Sequence, residues 1–149
     1  MTNNPPDLTK RPPRSPRVRL GGFCILARML DKGRASLAGT VGEFKFNCPL
    51  DQHFVQFAGI DPKALLALLK KGKGDGEILE WIARTSKTKP SFTDILTWSA
   101  YQDHRAPSDL ESRQFFNDYH SKMAPQREDV SSWFELLDID DHVTFGGRA

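Results

Sequence analysis

From Pro16 to Ala38 the chain carries an apolar segment whose hydrophobic face is too wide for a helix lying on a surface, so any fold must wrap protein around it. Successive residues of a helix turn by about 100°. On that wheel Leu20, Phe23, Leu26, Ala27 and Leu30 fill one broad face, and Ile25 and Met29 extend it round the back. Arg17, Gly21, Cys24, Arg28, Asp31 and Lys32 share the remaining sector. A helix this apolar is enclosed on most sides, and its polar stripe faces a groove, a partner or water. Ser15 followed by Pro16 predicts an N-cap and a first helical position, where proline's missing N–H costs nothing. Gly21 and Gly22 each cost about 1 kcal/mol against alanine in a helix interior. They mark a place where another group comes close to the backbone. Arg28 and Asp31, three residues apart, are spaced to pair. The helix should break at Gly33 or end by Gly39.

Glu43-Phe44-Lys45-Phe46 alternates polar and apolar, the period of a half-buried strand. A short strand needs a partner, and His142-Val143-Thr144-Phe145 has the only matching pattern. Cys48-Pro49-Leu50-Asp51 follows, with Pro49 suited to a first helical position and Cys48 to the cap before it. Asp51 then stands where a capping box places its acid, reaching back to the N–H of Cys48. A thiol at a helix N-terminus is favoured as thiolate by the helix dipole, and a nearby carboxylate opposes that. Cys48 is therefore either a reactive thiol or a packed cap.

These readings place a candidate polar site on the first helix and the turn after it: Arg28, Asp31, Lys32 and Arg34, with Glu43, Cys48 and Asp51. Mixed charges gathered this way can bind a carboxylate or phosphate. They can equally be the ordinary pairs of a helix seam. No complete set of nucleophile, base and orienting residue can be named, so catalytic residues stay open.

The segments PRSPRVRLGG, LARMLDKGRA, LAGTVGEFKFNCPLD and FAGID resemble the small bacterial proteins grouped as domain of unknown function family 5069. The resemblance runs from about Asp7 to Asp141. It implies one compact bacterial domain and brings no activity, cofactor or catalytic residue with it.

The rest of the chain reads as helices. Leu50, Phe54, Phe57 and Ala58 share a face that ends at Gly59. Asp61-Pro62 opens the next helix, with Leu65, Leu66, Leu68 and Leu69 before Gly72. Lys70, Lys71 and Lys73 stand at its end, where cations suit the dipole. GKGDG lacks the spacing of a phosphate loop and the strand before it, and reads as a turn. Asp75 caps a helix with Ile78, Leu79, Trp81 and Ile82. Ser91 starts another, through Trp98 and Tyr101 to Pro107. Ser108 and Glu111 fit a capping box ahead of Phe115, Phe116 and Tyr119. A last helix spans about Ser131 to Asp138. The architecture is an all-α single compact domain of about six short helices, with one small two-stranded β element if the two alternating segments pair. Residues 1–14 form an extended proline-rich arm, 15–141 the helical domain and 142–149 a tail.

Charge and composition narrow the function. The net charge is +2, and acids are interleaved with bases along the helices, which argues against nucleic acid. From Lys10 to Arg19 five basic residues, Lys10, Arg11, Arg14, Arg17 and Arg19, run without an acid, through the end of the arm and the residues after it. This run faces the acidic stretch Glu128–Asp141 in sign, so Lys10 to Arg14 is expected to dock near the final helix, of its own chain or of a neighbour in a homodimer. Two cysteines make no disulfide framework. His53 lies near Cys48 and Asp51, but the spacing matches no zinc site, so neither metal nor cofactor is expected. No stretch can span a membrane and the N-terminus has no signal-type segment, so a cytoplasmic location is the default. Two readings stay open. One is a binding or accessory module with a protein partner. The other is a small enzyme or anion-binding protein that takes a small anionic ligand at the polar site.

Overall fold

The computed structural model describes residues 4–149; the first three residues of the expected arm lie outside the described residues. Among the described residues there are seven helices: α1 (Leu26–Ala38), α2 (Pro49–Ala58), α3 (Pro62–Lys70), α4 (Asp75–Thr85), α5 (Phe92–His104), α6 (Leu110–Met123) and α7 (Trp133–Thr144). The chain divides into two compact units, Met1–Thr97 and Trp98–Ala149.

Local signals explain most helix starts. Cys48-Pro49 and Asp61-Pro62 open α2 and α3 with proline at the first position. The Asp61 carboxylate accepts the Lys63 N–H at 2.9 Å. Ser91 and Asp94 exchange side chain-to-backbone bonds at the start of α5 (3.0 and 2.9 Å). Ser132 and Glu135 do the same for α7. At α6 the cap falls one residue later than the Ser108/Glu111 spacing suggests. Asp109 accepts the Ser112 N–H at 2.7 Å, as an aspartate at the N-cap does.

The first helix differs most from its expected span. It begins at Leu26, ten residues after Pro16. Leu20 and Phe23 exchange both backbone bonds at 3.0 Å around Gly21 (φ 58°) and Gly22 (φ 85°). That is a two-residue hairpin turn with both central residues at positive φ, the conformation a Gly-Gly pair favours. A Cβ on Gly21 would sit 2.6 Å from the Leu79 side chain, so close approach and backbone conformation both require glycine. Next, the Leu26 N–H reaches the Cys24 carbonyl at 2.8 Å across Ile25, at φ 70° and ψ −40°. This is a γ-turn of the strained, positive-φ kind, held by a β-branched residue that is fully buried. The Ile25 N–H is fixed in turn by the Pro16 carbonyl at 2.9 Å.

Once started, α1 is as enclosed as its composition demands. Leu26, Ala27, Met29, Leu30 and Ala35 are fully buried, and it packs on α2 and α3. It does not break at Gly33. A Cβ there would lie 2.6 Å from Leu69 and 3.0 Å from Phe46, so Gly33 lets α3 and the following loop press against the helix. The helix stops at Gly39 in the left-handed conformation, as C-terminal glycines do.

Neither alternating segment is a strand. Residues 43–46 lie in turns and irregular chain, and His142–Thr144 forms the last turn of α7. The alternation of Phe44 and Phe46 serves other contacts. Phe44 lies under the Arg28 guanidinium, 5.5 Å from its ring centre, and Phe46 packs at Gly33.

The arm is not a loose leader in its described part. Leu8 is 1% exposed. Its N–H bonds the Thr40 carbonyl at 2.8 Å, and the Thr40 hydroxyl donates to the Pro6 carbonyl at 2.9 Å. Apolar burial and backbone bonds beside Gly42 seat this part of the arm. In the second unit, Phe116, Ala124, Val130, Leu136 and Ile139 form the core between α6 and α7.

Candidate functional site

The end of the arm, α1 and the loop before α2 sort the candidate polar residues into two groups. Pro12 and Pro13 hold the chain extended and deliver Arg14 to the side of α1. Its guanidinium bonds Asp31 through Nε and Nη2 (3.1 and 3.0 Å), and its backbone N–H bonds the same carboxylate at 2.9 Å. Nη1 reaches Asp75 at 2.9 Å. Asp75, the first residue of α4, also takes Arg34 at 2.8 Å, while Arg34 donates to the Lys73 carbonyl at 3.2 Å. Two arginines thus alternate with two carboxylates. Burial alone would push the Asp75 carboxyl up; the bonds from Arg14 and Arg34 outweigh it and hold the group below its ordinary value of 3.8. Burial likewise opposes the Arg14 charge, but Asp31 and Asp75 outweigh it and raise its pKa. Forked arginine–carboxylate bonds carry direction as well as charge, and this network ties the arm and α4 to α1.

The sequence pairs Asp31 with Arg28, but the structure gives Asp31 to Arg14. Arg28 is buried, donates to the Arg14 carbonyl at 3.3 Å and covers Phe44. Arg14 and Asp75 were invisible as members of the site, because Arg14 stands 17 residues from Asp31 and 61 from Asp75. The only local hints were the paired prolines before Arg14 and the helix-start position of Asp75.

The second group is built on Lys32, the residue after Asp31 in α1. Lys32 is 3% exposed and Asp51 fully buried, with Nζ and Oδ2 2.8 Å apart. Nζ also donates to the Cys48 Sγ at 3.2 Å. The other bond to Oδ2 comes from the Cys48 N–H at 3.3 Å, the reach-back that the cap spacing predicts. Oδ1 of Asp51 and Oδ1 of Asn47 are buried without a hydrogen-bond donor among the described residues. Asn47 itself adopts φ 59°, which asparagine tolerates better than most residues. The ammonium, the carboxylate and the thiol therefore converge at the N-terminus of α2, and Cys48, half-buried, is the member nearest solvent.

Glu43 is exposed on the loop and joins neither group. Of the seven candidate residues the structure brings Lys32, Cys48 and Asp51 together. It draws Asp31 and Arg34 into the arm network, and turns Arg28 to the arm backbone. Beside the network, Pro5, Arg34, Leu37, Ala38, Leu69, Lys70, Gly72 and Lys73 line an open cleft of about 300 Å³. Lys73 there lies 3.2 Å from Glu77. Among the described residues no three histidine, cysteine or acidic side chains are grouped to hold a metal, and no helix is long and apolar enough to cross a membrane.

Residues 10–143 match the family described as Domain of unknown function (DUF5069). No characterised protein matches the chain in a sequence search.

Proposed function

The chain belongs to the DUF5069 family, and we propose that it acts as a binding or accessory module whose contact surface is the apolar face of α5. The observation that carries this reading is on that helix. Phe92 and Leu96, one turn apart, are 64% and 46% exposed. Large apolar side chains grouped in water mark an interaction surface more often than scattered ones do. Gly22 favours the same face. A Cβ there would meet Ile95, Phe92 and Leu96 at 3.2–3.5 Å, so the hairpin tip backs the α5 side chains and fixes their positions. The arm's apolar residues are spent inside its own unit, which leaves α5 as the better surface for a protein partner. We set the module in a reducing cytoplasm, where two unlinked thiols persist.

A second reading, a small enzyme or anion-binding protein, draws on the Lys32–Asp51–Cys48 group. It is the weaker one, because Lys32 is already paired with Asp51, as Arg14 and Arg34 are with carboxylates, which leaves little charge for a small anion. The two readings separate in one pair of assays. The wild-type chain and a Phe92→Ser, Leu96→Ser variant are immobilised, and proteins retained from the source cell extract are identified. The purified chain is also screened by thermal shift against small metabolites, since a specific ligand raises Tm by mass action. A protein kept by the wild type and lost by the variant supports the module. Identical retention by both, with a metabolite that stabilises the chain, replaces it with the second reading.

A further inference from the structure

We propose that Cys48 and Lys32 form an oxidative modification site: a peroxide converts the thiol to a sulfenic acid, and the Lys32 amine closes on it to give a covalent sulfur–nitrogen bond between α1 and the start of α2. Three observations place the reacting groups. Sγ of Cys48 and Nζ of Lys32 are 3.2 Å apart, already in hydrogen-bond contact. Lys32 is buried and anchored by Asp51 at 2.8 Å, so the amine stays beside the sulfur. Cys48 is only half-buried, which lets a molecule as small as hydrogen peroxide reach the sulfur, whereas Cys24 is fully buried.

The chemistry balances with peroxide as the named oxidant. In the first step the thiol and hydrogen peroxide give Cys–SOH and water; sulfur loses two electrons and the peroxide O–O bond breaks. A sulfenic acid condenses with a nearby nitrogen to a sulfenamide. Here the nitrogen is Nζ. The S–O bond breaks as the S–N bond forms. One ammonium proton leaves with the hydroxyl as water, and a second passes to the Asp51 carboxylate. Oδ2 of Asp51, 2.8 Å from Nζ, is the atom that receives it. The product is Cys–S–NH–Lys, one water and a neutral Asp51. The bond would close the loop between residues 16 apart in sequence and pin Phe44 and Phe46 in place. Thiol reductants would reopen it.

The full chain, reduced and freed of reductant, is treated with hydrogen peroxide and followed by intact mass and tryptic mapping. The expected product is lighter by about 2 Da, since two hydrogens leave and no oxygen stays. It should yield a linked pair of peptides, 29–34 uncut after Lys32 and 46–63 containing Cys48, and revert with a thiol. A Cys24–Cys48 disulfide gives the same intact mass but leaves Lys32 cleavable, and would overturn the proposal. So would oxidation of Cys48 that stops about 16 or 32 Da heavier with Lys32 unlinked. A bridge about 14 Da heavier would place an oxygen between the two atoms and refute the direct bond. A Lys32→Arg variant should show no bridge and run on to the sulfinic acid. Should it fail to fold, the wild-type peptide map decides alone.

Discussion

Replacing Lys32 by methionine tests whether the ion pair beneath Cys48 is as buried as the structure has it. Nζ and the Asp51 carboxylate are 2.8 Å apart, with side chains 3% and 0% exposed. Methionine keeps the length and apolar stem of lysine but removes the charge. Asp51 would then be left in the interior with one bond, from the Cys48 N–H at 3.3 Å, and Oδ1 already has none. An uncompensated buried charge of this kind costs on the order of 3–5 kcal/mol, against under 1 kcal/mol for a pair in water. With a urea slope of about 1–3 kcal/mol per molar for a small protein, the midpoint should fall by one molar or more. Removing both charges, in Lys32→Met with Asp51→Leu, should recover most of the loss, because a buried pair exchanged for apolar groups is often near neutral. Urea unfolding followed by far-UV circular dichroism measures all three variants. A loss below about 1 kcal/mol for Lys32→Met, or a double variant no better than the single one, would refute the buried pair.

Three further outcomes are expected. Asp75→Asn should destabilise the chain at neutral pH. Because the Asp75 pKa is lowered on folding from 3.8, its contribution is present above that value and lost as pH falls through the folded one. The gap between variant and wild type should therefore narrow below about pH 4 in acid unfolding, and a constant gap would contradict the Arg14–Asp75–Arg34 network. Gly33→Ala should cost about 1–3 kcal/mol through overpacking against Leu69 and Phe46, although alanine favours helix; a stabilised variant in thermal melts would contradict that packing. Leu8→Ala should cost about 2–5 kcal/mol and do so equally at low and high salt, since Leu8 itself is held by apolar burial; a loss confined to low salt would contradict that burial.

Helix starts were legible because their signals are local. Cys48-Pro49, Asp61-Pro62 and Ser91 are signals of this kind, and each marks the start of its helix. The enclosure of α1 was legible too, from the width of its apolar face. The start of α1 was not. Leu20 and Phe23 continue the helical period by coincidence, and a Gly-Gly pair flanked by apolar residues is as much a hairpin signal as a helix with two glycines. Glu43–Phe46 has the strand period but no partner strand, and Phe44 and Phe46 answer to Arg28 and Gly33 instead. The site was half legible. Cys48 and Asp51 are linked by cap spacing, and Lys32 shares the polar stripe of α1. That Asp31 belongs to Arg14, and Arg34 to Asp75, follows from chain crossings that no spacing records.

Native-state alkylation asks whether Cys48 is the accessible end of an otherwise buried polar group. The folded chain is treated with iodoacetamide, and labelling of Cys48 and Cys24 is timed by peptide mass. Cys48 should be alkylated in the folded protein while Cys24, fully buried, stays unlabelled until denaturant is added. Equal, slow labelling of both until the chain unfolds, or faster labelling of Cys24, would contradict it.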